Sequence, residues 1–287
     1  MGRVEPPPDL TNSPRDFRHR CAIALTAASA PRLSAPFPGI NTCGRSAYSA
    51  LRERVVVTNT LPGVDHPLVT ADGVYVPQQD SQLLVDTLER TTVVAARHVM
   101  DLYTGTGIAA IAAAELGASS VTAWDICPRA VRCAQANAIH RGVEVDVRQG
   151  SLLQALRHGP YDVVVSNPPY VPTPHGMDYV ALPADVGPAR AWDAGEDGRL
   201  LLDPLCASAT DLLISGGNLV LVHSEIAGTD RSLDVLRSGG LFADVVARQS
   251  IPFGPVLSAR AAWLERTGRL EPGHRDEQLV AILAHKP

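Results

Sequence analysis

Two short segments of this chain carry residue types arranged for chemistry. Asn167-Pro168-Pro169-Tyr170 follows the run Tyr161-Asp162-Val163-Val164-Val165-Ser166, which reads as a buried strand. A planar NH2 group is a poor nucleophile because its lone pair is delocalised. A catalyst must hold both hydrogens and let the nitrogen pyramidalise toward an electrophile. The side-chain oxygen of Asn167 and the carbonyl of Pro168 can each accept one hydrogen, and the proline fixes the direction of the chain. Tyr170 can stack on the planar group, and Pro169 completes the motif as a candidate catalytic residue. Such a site works by positioning and electrostatics and needs no strong base before attack. Without that chemistry, the same residues are a turn that ends a strand.

The second segment is Asp101-Leu102-Tyr103-Thr104-Gly105-Thr106-Gly107, at the end of another apolar run and directly before a helical pattern. Gly105 and Gly107 let the backbone turn sharply near a ligand, and a helix start offers unpaired N–H groups to a carboxylate or phosphate. Asp125 ends the next predicted strand, 18 residues beyond Gly107. An acidic side chain there can accept hydrogen bonds from both hydroxyls of an adenosine ribose, or cap the helix beginning near Pro128. A nicotinamide cofactor fits the same layout. Ala110 occupies the third position of G-x-G-x-x-G, which some dinucleotide sites also accept.

Strand and helix patterns alternate around these segments. Strands are predicted over residues 98–102, 121–124, 161–166, 218–223, 241–247 and 279–283, with a further one where Val143, Val145 and Val147 alternate. Helices are predicted over 108–116, closed by Gly117, 128–141, closed by Gly142, 200–213, a segment holding Leu233 and Leu236, and 256–267, which contains Trp263. Before them, Asp80 or Ser81 is expected to cap a helix carrying Leu83, Leu84 and Leu88. Val69-Thr70 and Val74-Tyr75-Val76 are placed to form a hairpin across Asp72-Gly73. The alternation predicts an α/β, doubly wound, mainly parallel sheet with ligands at the carboxyl ends of its strands.

Composition limits the remaining options. The net charge of -5 and pI near 6.0 give no global attraction to polyanions, so nucleic acid is the less favoured partner. The five cysteines form no C-x-x-C pair, which disfavours a disulfide framework and a metal site. No apolar run reaches the roughly 18 to 20 residues of a membrane span. Residues 1–50 are rich in Pro, Ser, Ala and Arg and read as a poorly ordered extension before a domain over 51–287. Arg18, His19 and Arg20 before an Ala-rich stretch imitate a secretory signal. The stretch is short, and a cytoplasmic location is expected.

Taken together, these residues resemble the class I S-adenosylmethionine-dependent methyltransferases with an N-P-P-Y motif, and among them the HemK-type protein N5-glutamine methyltransferases. The resemblance covers about residues 68–250, carried by 76–81, 101–107, Asp125, 167–170 and the Gly-rich stretch Ala191-Trp192-Asp193-Ala194-Gly195-Glu196-Asp197-Gly198. The approach Val74-Tyr75-Val76-Pro77 looks more like the eukaryotic and archaeal branch. The resemblance implies a seven-stranded sheet with an antiparallel last strand and S-adenosylmethionine as cofactor. It places Ser81, Asp101, Tyr103, Gly105, Gly107, Asp125, Ser151 and Asn167 around that cofactor. Tyr103 stands where relatives carry a glycine, and Ser151 where many carry an acid. The acceptor implied is a glutamine amide, for example in the Gly-Gly-Gln segment of a release factor, and the family admits a small activating subunit. An N6-adenine-type methyltransferase of RNA or DNA makes the same chemical demand. A small-molecule methyltransferase and an inactive cofactor-binding subunit are the other readings.

Because residues 1–45 lack the apolar periodicity needed to join a core, their removal should leave melting temperature and cofactor affinity nearly unchanged. A large drop in thermal stability of the truncated chain would show that they belong to the fold.

Overall fold

The computed structural model describes residues 56–57, 68–176 and 188–287. The extension expected over residues 1–50 lies outside them. In chain order the elements are β1 (Val56–Val57), β2 (Val69–Thr70), α1 (Gln79–Thr91), β3 (His98–Leu102), α2 (Ile108–Glu115), β4 (Ser120–Asp125), α3 (Pro128–Arg141), β5 (Asp146–Gln149) and the single turn α4 (Leu152–Ala155). There follow β6 (Tyr161–Ser166), α5 (Leu202–Leu212), β7 (Leu213–Ser224), α6 (Thr229–Ser238), β8 (Phe242–Pro252), α7 (Pro255–Arg266) and β9 (Asp276–His285).

Seven strands form one sheet in the order β5-β4-β3-β6-β7-β9-β8. Neighbours from β5 through β7 are parallel, and the last strand, β9, runs antiparallel between β7 and β8. Strand alternation divides the core. Val99, Val121, Val163 and Val165 face the apolar side of α1 and the alanines of α2. Met100, Leu102, Val164 and Leu219 face Leu205, Leu212 and Leu236 of α5 and α6 on the other side. Burial on both faces explains why β6 reads as a continuous valine run instead of an alternation.

The chain leaves central β3 toward β4 and β5, then returns to place β6 on the other flank of β3. This reversal opens a crevice at the carboxyl ends of the strands. Register aligns those ends: Leu102 pairs with Trp124 on one side and with Ser166 on the other. The residues that follow, Tyr103, Asp125 and Asn167, therefore leave the sheet side by side. Ser166 strengthens the alignment by donating its hydroxyl to the Leu102 carbonyl at 2.8 Å.

Three local expectations are corrected. Val69–Thr70 pairs with Val56–Val57 and not with 74–76. Asn137 of α3 grips Val69 through its N–H at 2.7 Å and its carbonyl at 2.9 Å, while Val74 buries against Cys127, Ala130 and Cys133. The 143–147 alternation yields pairing only from Asp146, because Val143 donates its N–H to Ala138 to close α3. Its apolar period reflects packing on helices. The cap of α1 is Gln78, with Asp80 already inside the first turn.

Gly107 begins α2 at φ 85°, and a Cβ there would lie 3.0 Å from the Ala134 Cβ. Gly117 has φ 86° but open space. Both substitutions to Ala carry a left-handed penalty of about 1–2 kcal/mol, and only Gly107→Ala adds a collision with α3. Thermal melting should therefore fall further for Gly107→Ala than for Gly117→Ala. Equal losses would show that α2 and α3 are packed less tightly than described.

Candidate active site

The loop after β3 is held by two carboxylates. Asp101 is buried beneath it, and its Oδ2 accepts from the Thr104 hydroxyl at 2.5 Å and from the Ala110 N–H at 3.1 Å. It ties the loop to the first turn of α2. Burial raises its carboxyl to about 7 against those two donors, and the charge of Asp125 adds to the rise. Asp125 accepts from the Gly105 N–H through Oδ2 at 3.0 Å and from the Cys127 N–H through Oδ1 at 2.8 Å. It thus joins the β3 loop to the approach of α3 from the end of β4. Each oxygen keeps a lone pair, since a carboxylate has about four acceptor sites. Burial raises the Asp125 carboxyl, while its two N–H donors and the Arg190 charge oppose the rise.

Tyr103 adopts φ 64°, a left-handed conformation where the resemblance expects glycine. Its ring packs against the core on the α5 side, and this contact offsets a strain of about 1–2 kcal/mol. Burial, then the Asp125 charge, push its hydroxyl up to about 12. Ser151 caps α4, with its N–H and hydroxyl directed to Gln154 Oε1 at 2.9 and 3.3 Å. The Gly150 N–H donates to the Asp125 carbonyl at 2.9 Å, which brings Ser151 beside the end of β4.

The side that follows β6 is built differently. Asn167 leaves β6 with its side-chain Oδ1 buried and, among the described residues, without a hydrogen-bond partner. Asn167, Pro168 and Tyr170 line a small cavity of about 50 Å³ together with Tyr75, Asp80 and Trp192. The Tyr170 hydroxyl donates to Asp80 Oδ2 at 3.1 Å, and Tyr75 donates to the same oxygen at 3.1 Å. The other oxygen accepts from the Ser81 N–H at 2.6 Å and from its hydroxyl at 3.2 Å. Ser81, expected among cofactor residues, is buried and turned toward Asp80. Burial, followed by the nearby Asp80 charge, raises the Tyr170 hydroxyl well above its ordinary value.

Beyond Tyr170 the chain is clamped by the Gly-rich stretch. Val171 donates its N–H to the Trp192 carbonyl at 3.0 Å and accepts from the Ala194 N–H at 3.1 Å. A Cβ on Gly198 would lie 2.4 Å from the Tyr170 carbonyl oxygen, so only glycine fits this approach. Buried Arg260 of α7 donates to the Pro172 carbonyl at 2.7 Å and to Asp193 at 2.6 Å, and stacks over Trp192. Trp263 packs with Val171, Trp192 and Leu264, so α7 supports the acceptor loop.

The structure therefore gathers Asp101, Tyr103, Gly105, Gly107, Asp125 and Ser151 on one side of the crevice, and Asn167–Tyr170 with Asp80 and Ser81 on the other. The roles of Asp80, Gly198 and Arg260 in holding Asn167–Tyr170 and the residues after it escaped sequence reasoning. For Asp80, the two tyrosines around it were the available signal. Among the described residues no group of His, Cys, Asp and Glu is arranged to hold a metal ion, and no helix is long and apolar enough to cross a membrane.

Residues 66–181 match the family described as methyltransferase small domain. A provisionally named protein N5-glutamine methyltransferase of Methanocaldococcus jannaschii is 31% identical over 188 residues, covering 66% of this chain and 91% of that protein. The release factor glutamine methyltransferases of Mycolicibacterium smegmatis and Deinococcus radiodurans are 33% and 39% identical, over 66% and 51% of this chain and 67% and 52% of theirs. The chain thus spans half to two-thirds of those two relatives. A solved complex of E. cuniculi Mtq2 with Trm112, described as responsible for methylation of the eRF1 translation termination factor, shares the fold. Its TM-score is 0.51 at 22% identity, covering 75% of this chain and 99% of that chain. With nine-tenths of the 31% identical Methanocaldococcus protein covered, the chain belongs to the protein N5-glutamine methyltransferase family of S-adenosylmethionine-dependent methyltransferases.

Proposed function

We propose that this methyltransferase, a domain over residues 51–287 acting in the cytoplasm, modifies the side-chain amide nitrogen of a glutamine in a protein. A release factor is the acceptor that the relatives' names support. The observation that carries this reading is the buried, unpartnered Oδ1 of Asn167. A buried acceptor without a donor costs about 1–3 kcal/mol, and an amide N–H placed there removes that cost. The Pro168 carbonyl takes the second hydrogen, and Tyr170, pinned through its hydroxyl to Asp80, presents its ring to the planar group.

The residues across the crevice fit S-adenosylmethionine. The open lone pairs of Asp125 suit the ribose hydroxyls, the space above Gly105 suits a ligand in close contact, and exposed Ile126 offers an apolar surface beside Asp125. When bound, S-adenosylmethionine supplies a methyl group activated by its sulfonium. Asn167 and Pro168 would hold the amide nitrogen so that its lone pair faces that methyl; the N–C bond formed would replace the methyl–sulfur bond, whose electron pair stays on the departing thioether. The methylated amide is strongly acidic and releases its extra proton to water, so no base tuned near neutral pH is required.

Asn167→Ala should lower turnover on a Gly-Gly-Gln peptide about a hundredfold or more, or about 3 kcal/mol, with cofactor affinity within a few-fold. Near-normal turnover would remove the amide-holding role, and lost cofactor binding would make Asn167 a cofactor residue instead. Asp125→Ala should weaken S-adenosylmethionine at least about tenfold, or about 1.4 kcal/mol, in calorimetry. Unchanged affinity would mean that Asp125 only fastens the loop.

A further inference from the structure

A second cavity, of about 290 Å³, lies behind Tyr170, between the start of α1 and the corner joining β8 to α7. It shares Tyr75, Asp80, Tyr170, Val171 and Trp192 with the small cavity at Asn167. The rest of its wall is mostly apolar, from Ile251, Phe253, Val256 and Leu257, with Gln78 and Gln79 at its exposed rim. The segment 251–255 has no part in the chemistry described above.

The polar groups inside this wall differ in how far they are satisfied. Both tyrosine hydroxyls and both Asp80 oxygens are engaged with one another and with Ser81. Glu277, near the start of β9, is 7% exposed, and its Oε2 is buried with no partner. Trp192 is 5% exposed, and its indole Nε1–H, like the Glu277 Oε2, is buried with no partner among the described residues. Two residues that line this cavity thus carry, on buried atoms, an unmet acceptor and an unmet donor. Each buried polar group of this kind is destabilising until a ligand or water completes it.

A cation would satisfy Glu277 alone and an anion Trp192 alone. A planar amide carries an N–H and a C=O together and answers both groups. Arg260 already occupies a face of the Trp192 ring, so that tryptophan is less suited to binding a second cation through its ring. Burial raises the Glu277 carboxyl to about 7 against a hydrogen bond from Ser224 to that carboxyl, and the Asp80 and Glu225 charges add to the rise, which lowers its value as a partner for a cation near neutral pH. The two cavities share Tyr75, Asp80, Tyr170, Val171 and Trp192 and so adjoin one another. Every polypeptide supplies a planar amide in its backbone.

We infer that the cavity bounded by Glu277, Trp192 and the β8–α7 corner is a second acceptor subsite, which binds a backbone peptide group flanking the methylated residue. The inference rests on the reading that the acceptor is a polypeptide. Glu277 Oε2 accepts the peptide N–H and Trp192 Nε1 donates to the peptide carbonyl, while the apolar wall receives the adjoining side chain. Both residues act in specificity, since neither touches the transferred methyl group.

The test uses the full chain with S-adenosylmethionine and a Gly-Gly-Gln acceptor peptide, together with a series in which each flanking peptide bond in turn is replaced by an ester. An ester removes one N–H and keeps the shape. For the wild type, one position should raise KM and the calorimetric Kd by about tenfold or more, with kcat little changed. In Glu277→Met that ester should cost less than about twofold. Trp192→Phe, which keeps an aromatic ring and removes the donor, should weaken the parent peptide without changing cofactor affinity. Equal tolerance of every ester by the wild type, or the same ester penalty in Glu277→Met, would overturn the subsite, as would failure of all the peptides to bind. Peptides that bind with the predicted pattern but are never methylated would leave the subsite standing and overturn the glutamine assignment. Methylation indifferent to every ester would do the reverse.

Discussion

Four hydrogen bonds converge on the buried carboxylate of Asp80, and the acceptor side of the molecule depends on them. Two come from the N–H and hydroxyl of Ser81 in the first turn of α1, one from Tyr75 in the approach to that helix, and one from Tyr170 after β6. Bringing a carboxylate out of water costs several kcal/mol, and hydrogen bonds to a charged group return about 1.5–3 kcal/mol each. The donors together offset that cost, and the one from Tyr170 couples elements 90 residues apart in sequence. Position inside the first turn of α1 adds a favourable helix dipole. The ring of Tyr170 becomes a fixed wall instead of a mobile side chain.

The cofactor side follows the same logic with backbone donors. Asp101 and Asp125 take N–H groups from the loop and helix starts that surround the crevice. The two sides meet because β3, β4 and β6 end in register, so that Tyr103, Asp125 and Asn167 leave adjacent strands together. The difference between the sides lies in what is left unsatisfied. Asp125 retains free lone pairs, whereas Asn167 presents a buried oxygen with no hydrogen-bond partner among the described residues. Family membership supplies the methyl-transfer chemistry, and this contrast supplies the reason for an acceptor that brings its own N–H.

Much of this was legible in local sequence. The valine run of β6, the glycines after β3 and the helix stops at Gly117 and Gly142 are short-range signals, because strand burial and left-handed turns are set by neighbouring residues. The parallel sheet followed from their alternation, and Asn167-Pro168-Pro169-Tyr170 from the chemistry that those residue types allow. Long-range pairing was not legible. The hairpin expected after Val69 failed because Asn137 holds that strand's backbone groups. Asp80 read as a helix cap because its tyrosine partners lie outside any helical period. Trp263 had no evident role until α7 was seen to brace the loop after Tyr170 through Trp192 and Arg260. Ser81 and Asp101 were placed at the cofactor by resemblance, and here both are buried and directed at neighbouring protein groups.

The central claim is that the crevice holds a glutamine amide against Asn167. Its most direct test is transfer of labelled methyl from S-adenosylmethionine to purified release factors, total tRNA, rRNA and DNA in parallel, with the modified atom located by mass spectrometry. The account predicts label on the side-chain nitrogen of a glutamine in the Gly-Gly-Gln segment of a release factor and background levels on the nucleic acids. Label on the exocyclic amine of adenine, with none on protein, would contradict it.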